Sequence, residues 1–379
     1  MPRTGWDALF AGLVAAGITA VLVPLTSRVA RAVGAVDEPR ERGLSDRPMP
    51  RLGGLAIYAG VFAATLIWLP HAGPWKAVLI AGALITCVGA LDDIFDLPAG
   101  VKLVGQTAAA YLVAHDAQAR VQTFTLPIIH RVDLGGWSVP LTVLGIVVIM
   151  NAVNFSDGVD GLASGVCGIA GASFALIAFD AGYTKAGVLS AITAGAAAGF
   201  LIHNFYPATA FMGDSGSNLL GLLLGSVAVL GAVKTSAFIA LFLPLIVLAV
   251  PFVDTTFVVL KRMKYRRPVY RADTNHLHHR FSRIGFSQRR TVLYLYAWTL
   301  MLGGVAVATR FVPYSDHHGH FAAGWSLVMA LILLAGVAAS IYLVYVLEIL
   351  KVRRRFRRET AEEVERRLET GEFDAVGRR

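Results

Sequence analysis

The sequence predicts an all-α integral membrane protein, a polytopic bundle of about eleven transmembrane helices with the N-terminus outside and the C-terminus in the cytoplasm. Three observations carry that prediction. Of 379 residues, 56% are hydrophobic and only 16% charged, against about 25% charged in ordinary soluble domains. Apolar runs near the length of about 20 residues that crosses hydrocarbon recur along the chain. Finally, 26 of the 34 Lys and Arg residues fall in three stretches, 28–51, 261–290 and 351–379, which the positive-inside rule assigns to the cytoplasm.

The expected spans, in order, are 6–26, 53–70, 75–91, 101–115, 139–154, 162–180, 186–205, 217–233, 236–260, 291–311 and 323–350. Their runs are continuous rather than alternating, which selects helices over barrel strands. The first run lacks the strongly basic start of a signal peptide and is followed by further spans, so it is expected to remain as a helix. Several spans contain glycine, as close helix packing in a bilayer requires. Residues 1–350 then form a single transmembrane catalytic domain with cytoplasmic active-site loops at 27–52, 92–100, 154–161, 206–217 and 261–290, followed by a charged cytoplasmic tail at 351–379. Cys87 and Cys167 fall inside spans, where small apolar roles are expected and a disulfide is not.

Span parity sorts the polar motifs. LDDIFD (91–96), NAVNFSDGVDGLASG (151–165), HNFYPATAFMGDSGS (203–217) and RADTNHLHHRFSR (271–283) all lie at cytoplasmic ends, whereas the outer loops hold little beyond DLGGW and DHHGH. Charge near hydrocarbon is expensive and points to function. Asp92, Asp93 and Asp96 alone suit an interfacial turn stopped by Pro98. Joined by Asp157, Asp160 and Asp214 they make an oxygen-rich cluster of the kind that holds magnesium while substrate phosphates fill its remaining positions. DGVDGLASG and MGDSGS combine Asp, Gly and Ser, suited both to helix capping and to bringing backbone N–H groups up to a phosphate. HLHHR, flanked by Arg271 and Arg283, has no neighbouring Cys to complete a zinc site. Its His276, His278, His279 and Arg280 suit an anionic phosphate and a polar head group. The net charge of +9 reads as topology plus attraction to anionic lipid and substrate, with no nucleic-acid partner.

These blocks, together with DEPRERGLSDRPMPRLGG (37–54), resemble the signatures of the polyprenyl-phosphate N-acetylhexosamine-1-phosphate transferases, the glycosyltransferase family 4 type, over nearly the whole chain. HLHHRF and SQRR are closest to the branch that moves N-acetylglucosamine 1-phosphate onto undecaprenyl or decaprenyl phosphate. The sister branch transfers phospho-N-acetylmuramoyl-pentapeptide. The resemblance implies transfer from a UDP-N-acetylhexosamine to polyprenyl phosphate with release of UMP, needing Mg²⁺ (Mn²⁺ as a substitute), on the cytoplasmic face of a bacterial inner membrane. It also implies that Asp214 and Asp93 bind metal, that Asp92 and Asp93 act in catalysis, and that Asn154, Asp157, Asp160, His276, His278, His279 and Arg280 bind substrate. Asn151, Asn204 and Lys102 are further candidates. The expected partners are the two substrates, the lipid bilayer and a second copy in a homodimer. Where the family commonly has Lys and His in the first cytoplasmic loop, this chain has Gly43 and Ser45, so no substrate contact is assigned there. Direct attack and a covalent aspartyl-phosphate route both fit these residues.

Two rivals make different forecasts. DDIFD matches the DDxxD of isoprenoid-pyrophosphate enzymes, but a prenyltransferase has no use for MGDSGS or HLHHR. A transporter places acids near the bilayer midplane, in repeated halves, whereas these acids end spans and no repeat is visible.

Overall fold

In a computed structural model, residues 5–38, 48–116, 119–126, 130–232 and 287–311 and part of 324–338 are described. The expected span 236–260, most of 323–350, the tail 351–379, and His276, His278, His279 and Arg280 lie outside the described residues.

Nine of the expected spans fall on helices. These are α1 (Gly5–Val33), α2 (Gly53–Trp68), α3 (Pro74–Phe95), α4 (Ala99–Ala114), α5 (Ser138–Ser156), α6 (Leu162–Asp180), α7 (Thr184–Asn204), α8 (Gly213–Ala232) and α9 (Gln288–Phe311). Among the described residues, seven helices are long and apolar enough to cross a membrane, while α2, at 16 residues, is apolar but shorter. The molecule is thus an all-α membrane protein with two small additions. β1 (Val36–Asp37) pairs antiparallel with β2 (Met49–Pro50), and β3 (Thr123–Leu126) pairs with β4 (His130–Asp133). Such short strands leave no pattern that stands out beside the apolar runs.

Several segments expected as loops are helical turns. α3 continues through Asp92 and Asp93 to Phe95, and stops where Asp96 takes a left-handed conformation ahead of Pro98, which cannot continue a helix. α5 includes Asn154, and α8 begins at Gly213 rather than at 217. Hydropathy ends at the first charge; the helix ends where its hydrogen-bond ladder does.

α8 is the axis of the bundle: 83% of its apolar window is buried, against 33% for α1. It packs against α2, α3, α5, α6 and α7. Small residues bring the backbones together. A Cβ on Gly89 of α3 would overlap the α8 backbone at Ser215, and one on Gly221 of α8 would meet Met150 of α5. α1 and α7 are locked the same way, because Cβ atoms on Gly195 and Gly199 would run into the α1 backbone at Gly12 and Ala16.

Candidate active site

α3, α5 and α7 finish at the end of the bundle where α4, α6 and α8 begin, and the predicted acids collect there. Asp93, buried at the end of α3, accepts hydrogen bonds from two backbone N–H groups of α8: Asp214 N at 2.9 Å to Oδ1 and Ser215 N at 3.2 Å to Oδ2. An acid from one helix thereby caps another, satisfying orphan donors and facing the positive end of the helix dipole. Gly213 makes room for this. Its φ of +67° is a left-handed conformation, and a Cβ there would overlap both Asp93 oxygens and the Arg51 carbonyl.

The start of α8 therefore has its first donors taken by Asp93. At α6 the Gly161 N–H donates to Asn204 Oδ1 at 3.0 Å. Of the two uses expected for these helix starts, the structure shows capping: Asp93 holds Asp214 N–H and Ser215 N–H, and Asn204 holds Gly161 N–H. Asp93 in turn has one backbone N–H on each oxygen, which fixes it against Asp214 and leaves each oxygen a further lone pair.

Asp92, also buried, turns the other way. Its Oδ1 accepts from Leu97 N at 2.8 Å and its Oδ2 pairs with Lys102 Nζ at 2.5 Å. Lys102, from the first turn of α4, also reaches Asp214 Oδ2 at 3.2 Å, so one ammonium bridges two carboxylates. Asn154 Nδ2 approaches the same Asp214 oxygen at 3.4 Å, and Ser217 Oγ lies 2.9 Å from Asn154 Oδ1, within donating distance. A small cleft beside this group is lined by Asp92, Lys102, Gln106, Asp214 and Asn218 against Ile85, Val88 and Gly89.

Asp157, just past α5, is half-buried and has no hydrogen-bond or ion-pair partner for its carboxylate among the described residues. Burial, together with the nearby carboxylates of Asp214, Asp93 and Asp160, pushes its pKa well above the ordinary value. Asp160 is tied down: its Oδ2 accepts from Ala208 N at 3.0 Å, and burial, only partly offset by that bond, raises its pKa. Asn204 is likewise a staple, accepting from Gly161 N and Ser164 Oγ and donating to Ala210 O. Arg51 is paired with Asp37 across β1 and β2.

The donor set can be tested against the expected Mg²⁺. Among the described residues no three His, Cys, Asp or Glu side chains form a closed metal shell. Magnesium commonly takes one or two carboxylates and fills the rest with waters and substrate phosphates. Asp157, with no partner among the described residues, and the nearby Asp214 supply the one or two carboxylates that such a partial shell takes, and a cation would offset the like charges gathered there.

The structure thus joins Asp92, Asp93, Asn154, Asp157 and Asp214 at one end of the bundle, with Asp160 supporting the turn beside them. Sequence reasoning underrated Lys102 and passed over Gln106 and Asn218. The available signal was a lone cation and amides at i,i+4 spacing inside otherwise apolar helices.

The sequence is similar to known proteins. Residues 75–232, the stretch from α3 to α8, match glycosyl transferase family 4. A Bacillus subtilis (strain 168) protein named a probable undecaprenyl-phosphate N-acetylglucosaminyl 1-phosphate transferase is 38% identical over 73% of this chain and 77% of its own length. A decaprenyl-phosphate N-acetylglucosaminephosphotransferase from Mycobacterium leprae (strain TN) is 37% identical over 79% of this chain and 83% of its own. A phospho-N-acetylmuramoyl-pentapeptide-transferase from Desulforudis audaxviator (strain MP104C) is 32% identical over 78% and 97%. With relatives of that identity aligned across more than two thirds of both chains, and the matched stretch holding the bridged acids, the chain belongs to glycosyl transferase family 4.

Proposed function

We propose that this protein transfers N-acetylglucosamine 1-phosphate from its UDP-sugar to a membrane polyprenyl phosphate, releasing UMP and forming a polyprenyl-pyrophosphoryl sugar. The single observation that carries the reading is the Asp92–Lys102–Asp214 bridge, set at the end of an apolar bundle in a chain whose nearer relatives are named for that reaction. The reaction brings two phosphate-bearing substrates together, one water-soluble and one lipid. A site at a helix-bundle end, where hydrocarbon meets water, can admit both. The charge distribution supports a cytoplasmic placement in an inner membrane, with eleven spans.

A phosphate oxygen of the lipid forms a bond to the phosphorus carrying the sugar. The bond from that phosphorus to the UMP oxygen breaks, and UMP leaves with the electron pair. A phosphate monoester has a second pKa of about 6, so near neutral pH the nucleophile carries little proton to remove. Asp92, engaged by Lys102 and by Leu97 N–H, then works as the holder of a cation rather than as a general base. The same occupancy of Asp92 and Asp93 favours direct displacement over an aspartyl-phosphate. Lys102 offers its ammonium to phosphate charge that grows on the leaving group. Asp214 and Asp157 would hold Mg²⁺, with Mn²⁺ as a substitute; when bound, the ion neutralises phosphate charge. His276, His278, His279 and Arg280 are assigned to the sugar nucleotide.

The test is UMP release by purified protein given polyprenyl phosphate and a panel of UDP-sugars that includes UDP-N-acetylglucosamine and UDP-N-acetylmuramoyl-pentapeptide. Turnover with the first is expected, lost on chelation and in Asp214→Asn. Turnover with the pentapeptide alone overturns the sugar assignment, and an active Asp214→Asn removes that residue from the metal site.

A further inference from the structure

Beneath the acids, three amides from three helices form a directed chain. Asn151 Nδ2 of α5 donates to Gln106 Oε1 of α4 at 2.9 Å, and its second hydrogen goes to Val147 O at 2.8 Å. Gln106 Nε2 donates to Asn218 Oδ1 of α8 at 2.7 Å, and Asn218 Nδ2 donates to the Asp214 carbonyl at 2.8 Å. Gln106 is 4% exposed and Asn218 also 4%. Both hydrogens of Asn151 are committed and the amide senses run one way, so turning any of them over sets donor against donor or acceptor against acceptor. Each amide sits one helical turn deeper than a residue of the site on the same helix: Gln106 below Lys102, Asn218 below Asp214, Asn151 below Asn154.

We propose that Gln106 is a positioning residue: through Asn218 and Asn151 it fixes the axial and rotational register of α4, α5 and α8, and so sets the 3.2 Å Lys102–Asp214 separation. Apolar packing alone is poorly suited to this. Facing helices in hydrocarbon slide or turn at little cost in contact area, whereas a satisfied amide chain has one low-energy register. The bond to the Asp214 carbonyl applies that constraint at the residue whose carboxylate meets Lys102.

The inference rests on the transferase reading, so its test includes a readout independent of turnover. The purified full-length chain is titrated with Mn²⁺ by electron paramagnetic resonance and assayed for UMP release. Two variants are compared with the unaltered protein: Gln106→Met, and the triple variant Asn151→Leu/Gln106→Met/Asn218→Leu. The triple variant leaves no orphaned amide, so it keeps a folded protein even where the single change does not. Positioning predicts that kcat falls on the order of a hundredfold, as for a catalytic contact misplaced by about 1 Å, with KM for UDP-N-acetylglucosamine within about twofold. It also predicts weaker Mn²⁺ binding. A triple variant with unaltered kcat, or with unaltered Mn²⁺ affinity, overturns the proposal and leaves the chain a packing device. An unaltered protein inactive on every UDP-sugar, with Mn²⁺ binding that still depends on Gln106, overturns the transferase reading alone.

Discussion

Replacing Lys102 by Met tests the bridge at its centre. The change keeps an unbranched apolar stem but removes the ammonium that lies 2.5 Å from Asp92 and 3.2 Å from Asp214. Asp92 is left as a buried carboxylate, 5% exposed, with Leu97 N–H still donating to it and the like charge of Asp214 no longer bridged. Breaking a fully buried pair from one side costs about 3–5 kcal/mol. The Lys102 side chain is 33% exposed, which brings solvent screening and moves the expectation toward the much smaller values of exposed pairs; about 2 kcal/mol is reasonable. Loss of a preorganised positive group at the developing phosphate charge should lower kcat on the order of 10² to 10³. The two effects separate in the double variant Lys102→Met/Asp92→Asn, which has neither cation nor buried charge. Thermal unfolding in detergent should show most of the lost stability restored, while UMP release stays low. A single Lys102→Met variant with unaltered kcat, or a double variant that regains both properties, refutes the catalytic role of the cation.

Three further outcomes follow from the packing and the titrations. Gly213→Ala must hold Ala at a φ of +67° and push a methyl into the Asp93 carboxylate; a loss of at least about 1–2 kcal/mol in unfolding free energy is expected from backbone strain alone, with loss of UMP release. Gly199→Leu drives a side chain into the α1 backbone at Ala16 and should lower the unfolding temperature while KM stays unchanged in the folded fraction. Asp160 has its folded pKa raised by burial above the ordinary 3.8, so the folded state holds this proton more tightly than the unfolded one. Its stabilising contribution is present at low pH and lost as pH rises through the folded value. Asp160→Asn keeps an acceptor for Ala208 N–H without the ionisation, and its unfolding temperature relative to the unaltered protein should therefore climb with pH; a constant difference across the range contradicts the shift.

Much of the bundle was legible because hydrocarbon imposes one dominant signal. The expected span 162–180 coincides with α6, and 75–91 and 101–115 match α3 and α4 to within a few residues. The gathering of Asp92, Asp93, Asn154, Asp157 and Asp214 was also legible, because span parity puts alternate loops on one face. What remained hidden depended on partners distant in sequence. α1 runs on to Val33, well past its apolar run, because Ser27 and Ala30 are still buried against neighbours. The capping role of Asp93 needs the start of α8. Gln106 and Asn218 read as isolated polar residues until α4 and α8 are placed side by side. The stapling bonds of Asp160 and Asn204 were not legible, because a residue that staples a turn and one that grips a substrate use the same chemical groups.

The cap that Asp93 places on α8 also constrains how the molecule is made. The two partners are separated by 121 positions, so a nascent chain that has threaded only its first three helices into the bilayer carries an acid with no helix to cap. Synthesis must run through four more helices and into the next before that carboxylate meets the N–H groups it holds. Until then the chain has neither its axis nor its cation bridge, and a premature stop anywhere ahead of Gly213 leaves no half-built centre able to act on either substrate.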